Sequence, residues 1–182
     1  MTPELGRALL DEARERLVKG FPAQVEACLD LLTDDQIWWR ANDGSNSVGN
    51  LVLHVCGSSR HFVGRGLGGS DYRRDRPHEF AERGPLPKEH LKQLVREAAE
   101  ETGRVLDGLD PARLLEVSDR AGERYTALAL VQRTSHHWAV SASIVSANAP
   151  RSRSSLVTCA QASHCAISRT RIGYSGKSPR SV

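Results

Sequence analysis

Apolar side chains recur over residues 3–32 at Leu5, Leu9, Leu17, Phe21, Val25, Cys28, Leu29 and Leu32, close to the spacing of one helix face. The pattern predicts a first long helix, with a kink or break near Gly20 and Pro22, because proline lacks an N–H and crowds the preceding turn. Thr33-Asp34-Asp35-Gln36 has the form of a capping box for a short element through Trp38-Trp39, which must stop before the turn residues 42–46. Ser45 or Ser47 can cap a second helix running to about Phe62 or Val63, with Val48, Leu51, Val52, Val55, Ser58 and Phe62 on one side and His54 beside that stripe. Glycines 64, 66, 68 and 69 end it and open a polar stretch, Ser70 to Pro85, which reads as a long loop. Pro87 opens the clearest helix, with Leu91, Leu94, Val95, Ala98, Thr102, Val105 and Leu109 at three- and four-residue intervals. Beyond Asp110-Pro111, Leu115-Glu116-Val117 suits a short extended piece. A fourth helix begins near Thr126 and carries Ala127, Leu130, Thr134, His137 and Ser141 on one face. Four helices without a convincing set of strands predict an all-α protein, an antiparallel four-helix bundle.

A chain of 182 residues, 39% hydrophobic, is the size of one domain with a core of its own. No apolar run reaches the roughly 18 residues of a membrane span, and the N-terminal stretch lacks a basic, apolar leader, so the expectation is a cytoplasmic protein with no membrane partner. Cys28, Cys56, Cys159 and Cys165 form no C-x-x-C pair and signal neither a disulfide framework nor a zinc knuckle. The formal net charge of +3 hides an asymmetry, since all 22 acidic residues lie at or before Glu123. Up to that point the chain carries −5, and beyond it +8. Residues 151–182 hold eight serines and no acid, with no sustained period. The domain expectation is therefore a bundle over 1–147 and a basic, serine-rich, poorly ordered tail over 148–182. Such a tail could touch phosphates, but its arginines are sparse and Tyr174 is its only aromatic residue, so a nucleic-acid partner is not expected.

Bundle enzymes build sites from inward side chains on facing helices, which makes His54 and His137 the metal-ligand candidates. A usable centre needs at least three protein ligands, and a histidine on an inner face is more often a hydrogen-bonded core residue. His136 points about 100° away from His137 and reads as surface or supporting. Cys56 lies roughly 200° round the helix from His54, which argues against shared coordination.

The stretches Trp38-Trp39-Arg40, Ser45-Asn46-Ser47-Val48-Gly49-Asn50-Leu51-Val52-Leu53-His54, Gly66-Leu67-Gly68-Gly69, Arg74-Asp75-Arg76 and Glu79-Phe80 carry a specific wording. Over about residues 5 to 140 they resemble the DinB-like superfamily, in particular its DUF1572 branch. The resemblance implies a DinB-like four-helix bundle, often a homodimer, with a divalent metal (Zn, Ni or Fe) held by three histidines, one on the second helix and an H-x-x-x-H pair on the last. It also implies activity of the kind known in some members: low-molecular-weight-thiol S-transfer, with a small-molecule thiol and an electrophile as partners. Carried over residue by residue, the ligands are His54 and His137, but the third position holds Ser141, a poor donor near neutral pH. The metal is thus expected to be weak or absent in this chain, and the activity impaired. Ser58 stands where the family usually has asparagine. Asn46, Asn50 and Arg60 are the expected substrate-orienting residues, the loop Arg73-Arg74-Asp75-Arg76 can receive a carboxylate, and no catalytic residue is assigned. The likeness stops where the acidic residues have also run out, which fits either a reading-frame slip near codon 141 or an evolved basic arm. The competing functional class is a non-enzymatic helical bundle with a structural or interaction role.

Overall fold

Thr2 accepts the Leu5 N–H at 3.3 Å and Pro3 occupies the first helical position, so the chain enters its first helix at once. The computed structural model describes residues 2–148. Helix α1 (Pro3–Arg14), a π-helical turn (Glu15–Gly20) and α2 (Phe21–Asp30) form one continuous rod, with right-handed helical dihedrals at both junctions. The irregularity expected near Gly20 and Pro22 is thus a widened turn and not a break. The Phe21 N–H bonds the Arg16 carbonyl five residues back, a register that accommodates the Pro22 ring, which has no N–H of its own to place.

The capping box at Thr33 and Gln36 starts α3 (Asp34–Trp38), and a second one at Ser47 and Asn50 starts α4 (Val48–Ser59). Helix α4 runs on through another π-helical turn, Arg60–Arg65. The stretch read as an uninterrupted loop holds a further helix, α5 (Arg76–Ala81), capped by the Asp75 side chain on the His78 N–H at 3.1 Å. Helix α6 (Lys88–Asp107) follows Pro87, and a 3-10 turn (Pro111–Leu115) follows Asp110. A two-residue hairpin, β1 (Val117–Ser118) with β2 (Tyr125–Thr126), pairs Val117 with Thr126 and Ser118 with Tyr125 before α7 (Ala127–Asn148). The fold is therefore all-α, as expected, and the hairpin is its only sheet among the described residues.

Four rods build the bundle: α1–α2, α4, α6 and α7. Ion pairs join Arg14 to Asp107, Glu26 to Arg96 and Asp30 to Lys92; one index rises as the other falls, so the first rod and α6 are antiparallel. Ser58 with His137 and Ser59 with Trp138 fix α4 against α7, and Gly66 beside Leu130 shows the opposite sense there as well. Helices α4 and α6 instead run the same way, with Gly64 against Glu101 and Gly68 against Val105. The long connection through α5 exists because a parallel pair cannot be joined by a short turn. Leu17, Val25 and Leu29, Val52 and Val55, Leu91 and Val95, and Trp138 and Val145 meet in the core. Helix α4 is buried nearly all round, since α3, α5, α6 and α7 each pack on it. Among the described residues no helix is long and apolar enough to cross a membrane. The expected tail from about residue 148, with its domain boundary, lies outside the described residues.

Candidate functional site

Asn50, His54 and Gly57 follow one another at helical spacing on α4, and all three meet α5. The Asn50 side-chain N–H groups donate to the carbonyls of Glu79 and Glu82, each at 2.9 Å, while its Oδ1 accepts from Arg40, Ser47 N–H and Ser47 Oγ. One turn on, His54 Nδ1 lies 3.0 Å from Glu79 Oε2. Gly57 lets the carboxylate seat itself, because a Cβ there would overlap Glu79 Oε1. From the crossover Arg74 closes on Glu79 in a two-pronged pair, Nε to Oε1 at 2.7 Å and Nη2 to Oε2 at 2.8 Å. Side-chain exposure is 16% for His54, 10% for Arg74 and 8% for Glu79. Burial pushes the Glu79 carboxyl up, but the bonds from Arg74 and His54 outweigh it and hold the group below its ordinary value. The carboxylate is therefore ionised, and Nδ1 of His54 is the nitrogen that carries a proton toward it; Arg74 Nη2, 3.0 Å from the same nitrogen, directs its hydrogens to Glu79 Oε2 and to the His54 carbonyl at 3.4 Å.

His137 projects from α7 toward this group. Its ring centroid is 5.6 Å from that of His54, and its Nδ1 is 2.5 Å from Ser58 Oγ. Serine at position 58 thus supplies the hydrogen bond that anchors the ring, in either tautomer. Burial, then the nearby His54, Arg133, Arg74 and His136, lowers the His137 pKa to about 4, so the imidazole is neutral at pH 7. Phe80 lies 4.8 Å from the His54 ring and Phe62 stands edge-on to His137 at 5.8 Å, which walls the pair with apolar surface. Neither Nε2 has a hydrogen bond among the described residues, so each ring turns one nitrogen to a guest, that of His137 as a lone pair in the tautomer whose Nδ1–H donates to Ser58.

The structure therefore brings His54 and His137 together, and Ser141 is buried one helical turn beyond His137. Two imidazoles and a hydroxyl do not make the expected three-histidine set. Among the described residues no group of three His, Cys, Asp or Glu side chains is arranged to hold a metal ion. Of the expected substrate-orienting residues, none joins the histidine pair directly. Asn50 is fully buried with its polar atoms engaged as above. Asn46 lines a separate cleft with Trp39 and Asn148, and Arg60 pairs with Glu101 at 3.1 Å while lying over the Tyr72 ring. Arg74 is committed to Glu79 and is not free for a ligand carboxylate. Cys56 is buried, and burial pushes its thiol up to about 12. His136 is exposed, as expected.

Sequence reasoning missed the role of Glu79. Its signal was Asp75-Arg76-Pro77, a cap followed by an early proline, which marks a helix start inside the polar stretch. Trp138 was missed as a core anchor too; it is 1% exposed and donates its indole N–H to Ser59 Oγ at 2.6 Å.

The family model of the DinB superfamily matches residues 10–139 of the chain. No curated protein matches it.

Proposed function

The chain belongs to the DinB superfamily, and from that membership we propose that the cleft between His54 and His137 is the reduced form of a metal-dependent enzyme's centre, a two-nitrogen half-site that takes a divalent cation weakly. One observation carries the reading: two imidazoles from different helices face each other at 5.6 Å, each anchored through Nδ1 with Nε2 left over. A histidine whose other nitrogen donates to a buried carboxylate, as His54 does to Glu79, is oriented as ligating histidines are. The activity class is low-molecular-weight-thiol S-transfer, impaired because position 141 offers a hydroxyl where a third nitrogen is required. In this reading the chain's own residues prepare the site: Arg74 neutralises Glu79, Glu79 and Ser58 orient the two rings, and Phe62 and Phe80 exclude water. Asn50 is a positioning residue that holds the Glu79 segment. A small thiol, an electrophile and a second copy of the chain are the partners; light scattering checks the homodimer.

The test is calorimetric titration with Zn²⁺, Ni²⁺ or Fe²⁺. Ser141→His places a third nitrogen one turn from His137, so the variant should bind more tightly and melt higher in metal, by roughly 2.7 kcal/mol at a hundredfold excess over its dissociation constant. Adding His54→Ala to that variant should remove the gain. Equal affinity of the parent chain and Ser141→His rejects the reading. The second reading, a non-enzymatic bundle, is favoured by Ser141 itself; a metal-loaded Ser141→His protein that transfers no thiol would support it.

A further inference from the structure

Three separate segments meet on the far side of Arg74. The π-helical turn of α4 brings His61 and Arg65, the start of the crossover brings Arg73 and Arg74, and the hairpin turn brings Asp119 and Arg120, together enclosing an open cleft of about 490 Å³. His61 lies two helical turns beyond His54, roughly 10 Å along the axis, and Arg74 stands between the two places, lining the cleft on one side and contacting His54 Nδ1 at 3.0 Å on the other. We propose that it binds a small anionic molecule through a carboxylate or phosphate group.

The charge balance is the first reason. Arg74 is neutralised by Glu79, which leaves Arg65, Arg73 and Arg120 facing a single carboxylate, Asp119. Arg14, Arg96 and Arg113 each sit against an acid, at Asp107, Glu26 and Glu116, whereas none of Arg65, Arg73 and Arg120 forms an ion pair among the described residues. Like charges held together repel, and an anion relieves that cost. Preorganisation is the second reason. Arg65 is fixed by donating Nε to the Arg120 carbonyl at 2.7 Å and Nη1 to the Tyr72 carbonyl at 3.2 Å, one bond to each neighbouring segment. Its Nη2 has no partner among the described residues and remains for a forked contact with an oxyanion. His61, on the π-helical turn, also lines the cleft. A π-helical turn at that point is a feature that recurs at functional sites.

The experiment is an amide NMR titration of the full chain with inorganic phosphate and, separately, with succinate, at ionic strength held constant with NaCl. Saturable shifts confined to Arg65, Tyr72 and residues 119–122 are expected; saturation by phosphate alone assigns a phosphate ligand, and by succinate alone a carboxylate ligand. Arg73 and Arg120 are exposed, so the variant Arg73→Gln/Arg120→Gln keeps the fold, checked by its melting curve, and weakens binding by roughly tenfold or more. The single variant Arg73→Gln serves in its place if the double variant melts early. Shifts that never saturate, that spread over the surface, or that keep their affinity in the variant overturn the proposal. No metal is needed, so a negative result here leaves the reading of the histidine pair standing.

Discussion

Glu79 meets a different neighbour on each side: His54 and Arg74 at its oxygens, Gly57 beneath it and Asn50 at its backbone carbonyl. Its carboxylate is 8% exposed and ionised, because Arg74 and His54 together outweigh the cost of burying it. Glu79→Ala leaves that guanidinium buried without its partner, and urea denaturation should register a loss of about 3 kcal/mol. Gly57→Ala drives a Cβ into the same carboxylate and should cost about 2 kcal/mol. Because both act on one contact, Gly57→Ala/Glu79→Ala should lose less than the sum of the two, by about 1 kcal/mol or more; strict additivity would show that Gly57 is there for another reason. The sequence displayed Gly57 and Glu79 without any sign that they touch, since 21 residues separate them.

At the scale of elements, α5 is too short to be stable alone and stays folded by its attachment to α4. Asn50 supplies that attachment while also closing the α4 capping box, so one side chain both starts a helix and docks another. Asn50→Ala should destabilise the protein by about 2 kcal/mol and, in hydrogen exchange, cost the α5 amides more protection than those of α6. Uniform loss of protection would mean that Asn50 supports α4 alone. The long rods were legible from periodicity because each has one wet and one buried face. Helix α4 was only half legible: its stripe of Val48, Val52 and Val55 was seen, but the burial of Asn50, Cys56, Gly57 and Ser59 on its other sides comes from α5, α6 and α7 packing there. Helix α5 has six residues and no room for a period to show.

Over the whole molecule the cohesion lies in the shared core and not in the ion pairs that mark its topology. Leu17 is fully buried, and Leu17→Ala should cost about 3 kcal/mol. Arg96, paired with Glu26 at the surface, should be nearly silent when changed to alanine; thermal melts of the two variants make the comparison, and a drop for Arg96→Ala as large as for Leu17→Ala would reverse this ranking.

The sequence by itself determined the four rods, the capping box at Thr33 and Gln36 and the pairing of His54 with His137, because helix periodicity and capping are local and the family resemblance extends across both histidines. It determined as well that residue 141 offers a hydroxyl. The tertiary structure alone decided that α4 and α6 run parallel, that Arg74 is spent on Glu79, and that Arg65, Arg73 and Arg120 gather in one cleft. The helix pairing and the arginine cleft join segments far apart along the chain, and the Arg74–Glu79 pair, though only five residues apart, forms in the seat that α4 gives the carboxylate; burial of one carboxylate and close approach at one glycine leave no periodic trace in the order of residues.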